Sequence, residues 1–235
     1  ASCSFVREKL QYDVAEQLVK NGIKADKFTV LVNITPITTT DPEIIEVSYQ
    51  PSFEDNPYIR SKVIIEVSGR SMNEPVIPVS LRSFIDEVFT QTPFTEPDFE
   101  VRAVAPQRTF LEKVFLLHEE FSKPKEHIRT ERMSRHLYDI GQMMNFPIAE
   151  EALNNKALYI SVIEHRKTFI GLKGFDYQTL YPQTLNIILP EAIYDAWKKD
   201  YEVMQETMIY GESLPFDKLA SKIRALNERI HKLPY

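Results

Sequence analysis

Cysteine is almost absent from this sequence, which contains only Cys3. A single thiol excludes an internal disulfide and a cysteine-based zinc site, and it suits a reducing compartment. No apolar run approaches the length that spans a bilayer, and the N-terminus lacks the hydrophobic core of a signal peptide. These absences predict a soluble, cytoplasmic protein.

Glycine is also scarce, with six residues in 235, and only Gly171 and Gly174 lie close together. Neither a phosphate-binding P-loop nor a dinucleotide-binding fingerprint can be built from them. Basic charge is not in excess, since 34 acidic residues outnumber 28 basic ones and give a net charge of −6. The chain therefore has no global basic field for nucleic acid, which says nothing against a local basic patch.

The first part of the chain reads as one helix followed by strands. Apolar residues at helical spacing predict a helix over residues 4–21, which ends at Asn21-Gly22. β-branched runs then predict strands over 28–34, 43–50, 62–69, 74–79 and 99–105, with a short helix over 80–89. The connections are too short for repeated βαβ units, so we expect a mixed or antiparallel sheet.

The second part is helical from Pro106, a residue that suits the first turn of a helix. The patterns predict helices over 106–121, 129–144, 148–169, 189–209 and 215–233. We therefore predict an α+β fold, in which residues 1–105 form a sheet-containing domain and residues 106–235 form an all-helical domain.

Lys113 lies within the apolar stripe of the helix over 106–121, where a solvated charge is unusual. Its neighbours one turn away are Thr109, Phe110, Leu116 and Leu117. Its side chain either reaches water or a nearby carboxylate such as Glu112 or Glu119, or it faces a cleft and binds a phosphate. Arg108 would suit the same anion, because it lies near the helix N-terminus, where free N–H groups add positive potential.

The segment "RMSRHLYDI", residues 132–140, combines an apolar stripe with charged residues. Arg135 and Asp139 have the spacing of an ordinary helical ion pair, which is the simpler interpretation. Alternatively, Asp139 offers a carboxylate for a metal or base role, and the arginines beside it bind a substrate phosphate. His136 and Asp139 could together contact a metal, but two ligands do not make a site.

Glu66 interrupts the β-branched strand over 62–69. Strict alternation places it with Ile64 and Ser68 on the face opposite Val63, Ile65 and Val67. Such a carboxylate either faces solvent, which is more common, or is presented to a cleft as a magnesium ligand. The triplet His118-Glu119-Glu120 lacks the second histidine of a zinc-protease helix, so we assign it no metal role.

Three motifs in combination resemble a known family. They are "APQRTFLEKVFLLHEEF" (105–121), "RMSRHLYDI" and "WKKDYEVMQETMIYGESLPFDKL" (197–219). From about residue 60 to the C-terminus the chain is similar to the nucleotidyltransferase toxins of the AbiEii/AbiGii type, known from abortive-infection and toxin–antitoxin systems. The resemblance implies catalytic roles for Lys113 and Asp139, phosphate or acceptor contacts for Arg108 and Arg135, and metal binding by Glu66 and Asp139.

The resemblance also implies a fold, a reaction and partners. The fold would be a DNA polymerase β-like catalytic sheet followed by a helical C-terminal domain. The reaction would transfer a nucleotide from a nucleoside triphosphate, with Mg2+, to an RNA acceptor that is often tRNA. A cognate antitoxin would be a further partner.

The family's Gly-Gly-Thr/Ser motif and its Asp-x-Asp pair are absent from the sequence. Their absence predicts the C-terminal portion of such an enzyme, without its main metal ligands. The start at Ala1 rather than Met agrees with this prediction, but removal of an initiator Met explains it equally well. Two alternatives remain open. One is a non-catalytic module that binds protein or RNA, and the other is a helical scaffold in which Lys113, Asp139 and Glu66 would not converge.

Overall fold

The structure is a computed structural model that describes residues 2–33, 43–52, 60–68, 75–93 and 95–235. Three predicted strands extend one residue beyond these ranges: 28–34 at its end, 62–69 at its end and 74–79 at its start. No helix within the described ranges is long and apolar enough to cross a membrane.

The chain begins with continuous helical structure, as its apolar spacing predicts. Helix α1 (Ser2–Phe5) passes through a π-helical turn (Val6–Leu10) into helix α2 (Gln11–Lys20). The predicted end at Asn21-Gly22 is confirmed. Gly22 has a φ of 89°, a left-handed conformation that glycine adopts without the steric cost of a Cβ.

The first sheet contains three antiparallel strands in the order β1 (Phe28–Asn33), β2 (Glu43–Tyr49) and β3 (Lys62–Val67). Alternate residues of β2 are buried, and Ile45 and Val47 form a small core with Val6 of the π-helical turn. One face of the sheet therefore packs against the N-terminal helical segment.

The second sheet is a separate pair of antiparallel strands, β4 (Val76–Leu81) and β5 (Phe99–Val104). Helix α3 (Phe84–Val88) lies between them and begins later than the sequence predicts, because β4 continues to Leu81. The Ser83 side chain caps α3 by accepting a hydrogen bond from the Asp86 N–H at 3.1 Å. The predicted antiparallel pairing is confirmed for every described strand, in two small sheets.

Residues 106–235 are described throughout and contain helices but no strand. The helices are α4 (Pro106–Phe121), α5 (Ser134–Met143), α6 (Ile148–Asn154), α7 (Lys156–His165), α8 (Tyr194–Thr207) and α9 (Phe216–Ile230). The predicted helix 148–169 divides at Asn155, whose side chain accepts a hydrogen bond from the Leu158 N–H at 3.0 Å and caps α7. A π-helical turn (Arg166–Ile170) follows α7.

Helix α4 lies at the centre of the helical core. It contacts α5, α6 and α7, and five of its apolar side chains are completely buried: Phe110, Leu111, Val114, Phe115 and Leu117. Helix α5 packs closely on α9, because a Cβ added at Gly141 would lie 2.5 Å from Leu219 Cδ1. These contacts hold α4 and α5 side by side.

The chain divides into two compact units. Residues 1–71 with 203–213 form the first unit, and residues 72–202 with 214–235 form the second. Strands β4 and β5 therefore belong to the same unit as most of the helices, although the change from strands to helices occurs at residue 105 as predicted. The assignment of 1–105 and 106–235 as two domains stays a prediction.

A network of buried charges joins α4 to the end of α7. Arg166 donates hydrogen bonds to both carboxylate oxygens of Glu119, at 2.8 and 2.5 Å, and a further one to Glu112. The side chains of Arg166 and Glu119 are each 6% exposed. The desolvation cost of burying the guanidinium and the carboxylate is offset by the two parallel hydrogen bonds between them.

We expect Arg166→Met to destabilise the protein by about 3–5 kcal/mol, because it leaves the Glu119 carboxylate buried without its cation. Urea unfolding followed by circular dichroism measures the change. Lys167→Met is the matched control, since Lys167 is the exposed neighbour in the same turn and should change the free energy of unfolding little. Equal stability of the two variants would contradict the structural role of Arg166.

Candidate active site

Lys113 and Asp139 meet between α4 and α5. The Lys113 Nζ lies 2.8 Å from the Asp139 Oδ2, and the two side chains are 23% and 38% exposed. The expected local partners of Lys113 are used elsewhere, because Arg166 binds both Glu112 and Glu119. The interpretation that Lys113 pairs with either of these carboxylates is therefore wrong.

The positions of the two charges follow from the apolar stripes of their helices. Phe110 and Val114 on α4 and Leu137 and Ile140 on α5 are buried. A lysine that follows Phe110 by three residues lies at the edge of the α4 stripe, as does an aspartate that precedes Ile140 on α5. When the stripes pack against each other, their edges meet and the two charges pair.

His136 lies one helical turn before Asp139 and is 8% exposed. Burial, followed by the charges of Lys113 and Arg135, lowers the pKa of His136 to about 4 against the weaker opposing effect of Asp139. The imidazole is therefore neutral at pH 7. Its Nδ1 is buried and has no hydrogen-bond partner among the residues that the structure describes.

Arg135 is half-exposed and forms no ion pair within the described ranges. The Arg135–Asp139 pair that the helical spacing suggests is not formed, because Asp139 pairs with Lys113 across the helix interface. The guanidinium of Arg135 is still close enough to lower the pKa of His136. It therefore adds positive charge to the Lys113–Asp139 site.

Arg108, unlike Arg135, is buried. It is 6% exposed, and its guanidinium lies 3.6 Å from a carboxylate oxygen of Glu112, which also binds Arg166. Arg108 thus belongs to the buried charge network of α4. Its burial leaves little surface for a phosphate that arrives from solvent.

Glu66 lies on β3 in the first compact unit, where it is exposed and pairs with Ile44 in the strand register. The predicted alternation is confirmed for Ile65 and Val67, which pack against the core, but not for Val63, which is 54% exposed. Within the described ranges no three His, Cys, Asp or Glu side chains come together as a metal site. Because the Asp139 carboxylate already binds an ammonium group, these residues do not fit a preformed magnesium site.

His118 has a structural role, as its sequence context suggests. The Asn186 N–H donates to its Nδ1 at 2.8 Å, so the Nε2–H donates to the Thr179 Oγ1 at 2.9 Å. Burial lowers the pKa of His118, against the opposing effect of the Asn186 hydrogen bond. Both ring nitrogens are thus used to hold the loop that follows α7.

Sequence reasoning missed Asp200, which lies in the third motif beside the packing residue Trp197. Its carboxylate accepts hydrogen bonds from the N–H of Arg132 at 2.6 Å and from the N–H and hydroxyl of Ser134 at 3.0 and 2.5 Å. One feature of the sequence could have indicated a buried role for Asp200. It lies one helical turn after Trp197, so both side chains lie on the face of α8 that packs inward. No local pattern relates that aspartate to the start of α5.

Comparison with known protein families gives one match. The model of the family described as nucleotidyl transferase AbiEii toxin, type IV toxin–antitoxin system, matches residues 5–223. The match thus extends further towards the N-terminus than the three motifs do. Comparisons with curated proteins and with solved structures gave no match.

We expect Lys113→Met to raise the pKa of His136, because the variant removes an ammonium charge that opposes protonation of the ring. The pKa should stay below the usual value of 6.5, since burial is the larger cause. An NMR titration of the imidazole Cε1–H signal measures it. Lys123→Met is the control. Lys123 lies just after the end of α4 and pairs with Glu120, so its replacement should leave the pKa of His136 unchanged.

His136 should also make the protein less stable as the pH falls from about 6.5 to about 4. The unfolded chain binds a proton in this range, whereas the folded chain, with a pKa of about 4, does not. Free energies of unfolding measured across this range should therefore decrease more steeply in the parent protein than in His136→Asn. Parallel curves would show that His136 titrates alike in both states.

Proposed function

Because this chain belongs to the AbiEii family of nucleotidyl transferase toxins of type IV toxin–antitoxin systems, we propose that it takes part in nucleotide transfer at the Lys113–Asp139 site. In this reaction an acceptor hydroxyl oxygen forms a bond to the α-phosphorus of a nucleoside triphosphate. The bond between that phosphorus and the bridging oxygen breaks, and pyrophosphate leaves. The hydroxyl proton passes to a base or to solvent.

The observation that carries the proposal is the 2.8 Å contact between the Lys113 ammonium and the Asp139 carboxylate at a half-exposed position. Phosphoryl-type transfer depends mainly on positioning and on stabilisation of negative charge. An ammonium group that is held by a carboxylate is oriented before the substrate arrives. Lys113 would then stabilise the charge on the triphosphate, and Arg135 would contact a second phosphate or the acceptor.

Asp139 and His136 supply oxygen and nitrogen atoms that can accept a proton. The Asp139 side chain is 38% exposed, so a carboxylate oxygen can accept a hydrogen bond from the acceptor hydroxyl while the group remains close to Lys113. His136 is neutral at pH 7 and adds no charge to the site. We assign orientation of the acceptor to Asp139 rather than to His136, because Asp139 is the more exposed of the two.

Asp139 would hold Mg2+ together with phosphate oxygens of the triphosphate, and the ion would supply stabilisation of negative charge there. Mg2+ retains several waters and is commonly held by one or two carboxylates and by substrate phosphates. Such a mode needs no preformed cluster of protein ligands. Support of the metal by Glu66 is part of the proposal.

The acceptor that we propose is RNA, and tRNA is one candidate. The chain has a net charge of −6, so the RNA backbone would be held by local cations rather than by a global basic field. Arg135 is a suitable cation for this contact, because it is partly exposed and close enough to His136, beside the Lys113–Asp139 pair, to lower its pKa. A cognate antitoxin is the further partner that membership of the family suggests.

We expect Lys113→Ala and Asp139→Asn each to reduce nucleotide transfer at least about a hundredfold, because each removes an oriented charge at the reacting phosphates. The assay follows incorporation of label from α-labelled nucleoside triphosphates into total RNA in the presence of magnesium. Lys167→Ala is the control and should retain activity. Full activity in both site variants would contradict the assignment.

Calorimetric titration with the four ribonucleoside triphosphates in magnesium tests binding apart from chemistry. Saturable binding by the parent protein should be lost in Lys113→Ala, because the ammonium group makes the phosphate contact. Binding without transfer to any RNA would favour the alternative of a non-catalytic binding module. A folded protein that neither binds nor transfers would contradict the proposal.

A further inference from the structure

We propose that Asp200 is a positioning residue for the candidate site, and that it acts through the N-terminal end of α5. Asp200 lies on α8, and its carboxylate accepts three hydrogen bonds from the segment that opens α5. It does not contact Lys113 or Asp139 through any described hydrogen bond or ion pair. The proposal rests on the proposed function where it concerns catalysis, but its structural part can be tested separately.

Helix α5 has no side-chain cap from its own sequence. Its N-cap position is occupied by Met133, whose side chain accepts no hydrogen bond from the free N–H groups of the first turn. Asp200 replaces that cap from another helix. It accepts from the Ser134 N–H at 3.0 Å and from the Ser134 hydroxyl at 2.5 Å, and its negative charge lies at the positive end of the helix dipole.

The residue that leads into α5 has an unusual backbone conformation. Arg132 has a φ of 58°, the only described non-glycine residue with a positive φ. L-residues adopt this conformation only when surrounding contacts stabilise it. Asp200 supplies such a contact, because it accepts the Arg132 N–H at 2.6 Å.

Helix α8 makes a second contact with this segment, at Arg129, three residues before Arg132. The Nε1–H of Trp197 donates to the carbonyl oxygen of Arg129 at 3.1 Å, and Trp197 is completely buried. Trp197 and Asp200 lie one turn apart on α8 and so bind residues 129–134 at two points. The path of the chain into α5 is therefore determined by α8.

The position of Asp139 depends on that path. Asp139 follows Ser134 by five residues, about 7.5 Å along the axis of a regular helix. A short helix moves as a rigid body, so a shift or rotation at its first turn is transmitted to Asp139, Arg135 and His136. The ion pair with Lys113 has a distance of 2.8 Å, which such a shift would lengthen. Asp200 thus orients the carboxylate that pairs with the lysine.

The test compares Asp200→Asn with Glu202→Gln, a carboxylate on the same helix that is exposed. The first readout needs no activity. Limited acylation of lysines, followed by peptide mass spectrometry, measures how well the Lys113 amine is protected, with exposed Lys167 as the internal reference. Asp139→Asn, which removes the partner directly, gives the maximum loss of protection. We expect Asp200→Asn to approach that value and Glu202→Gln to match the parent protein.

The second readout is catalytic. In the transfer assay, Asp200→Asn should lower kcat about ten- to a hundredfold, because displaced reacting groups lose orientation. KM for the triphosphate should change little, since Lys113 itself remains. If the parent protein shows no transfer, the proposed function fails, whereas the acylation result still decides the role of Asp200.

Two outcomes would overturn the proposal. One is folded Asp200→Asn protein in which Lys113 is as protected as in the parent. The other is loss of protection to the same extent in Glu202→Gln. Should Asp200→Asn not fold, Ser134→Ala removes only the hydroxyl contact at 2.5 Å and leaves both N–H contacts in place. Unchanged protection of Lys113 in that variant would then refute the proposal.

Discussion

The burial of α4 is the constraint on which the arrangement of the second compact unit depends. Five apolar side chains of this helix have no exposed surface, so every charged residue on the same helix must either find a buried partner or lie at the edge of the stripe. Glu119 is paired with Arg166, and Glu120 with Arg129 and Lys123. The carboxylates of α4 are thus neutralised by other cations.

This distribution of partners explains why Lys113 pairs across the helix interface. Glu112 and Glu119 are bound to Arg166, and Lys113 pairs instead with Asp139 on α5. The resulting pair is only partly buried, so it combines a defined geometry with access for a ligand. Buried pairs on α4 stabilise the fold, whereas the exposed edge of the same helix is suited to charge-dependent chemistry.

Much of the fold follows from local patterns. The helix stop at Asn21-Gly22, the start of α4 at Pro106 and the antiparallel pairing of the described strands all have a short-range physical cause. The start of α5 does not, because five residues of apparently helical sequence remain outside the helix. Its position depends on the left-handed conformation at Arg132 and on Asp200, which lies 68 residues away from Arg132.

By itself, the sequence identified the α+β class, the helical second part and the motifs that contain Lys113 and Asp139, because these depend on periodicity and on residue type. Only the tertiary structure decided which charges meet. Arg108 and Arg135 looked equivalent as phosphate contacts, yet one is buried beside Glu112 and the other is half-exposed beside the Lys113–Asp139 pair. The physical reason is that helical spacing orders neighbours along one helix, whereas pairing between helices depends on how their apolar faces pack and on which partners are already occupied.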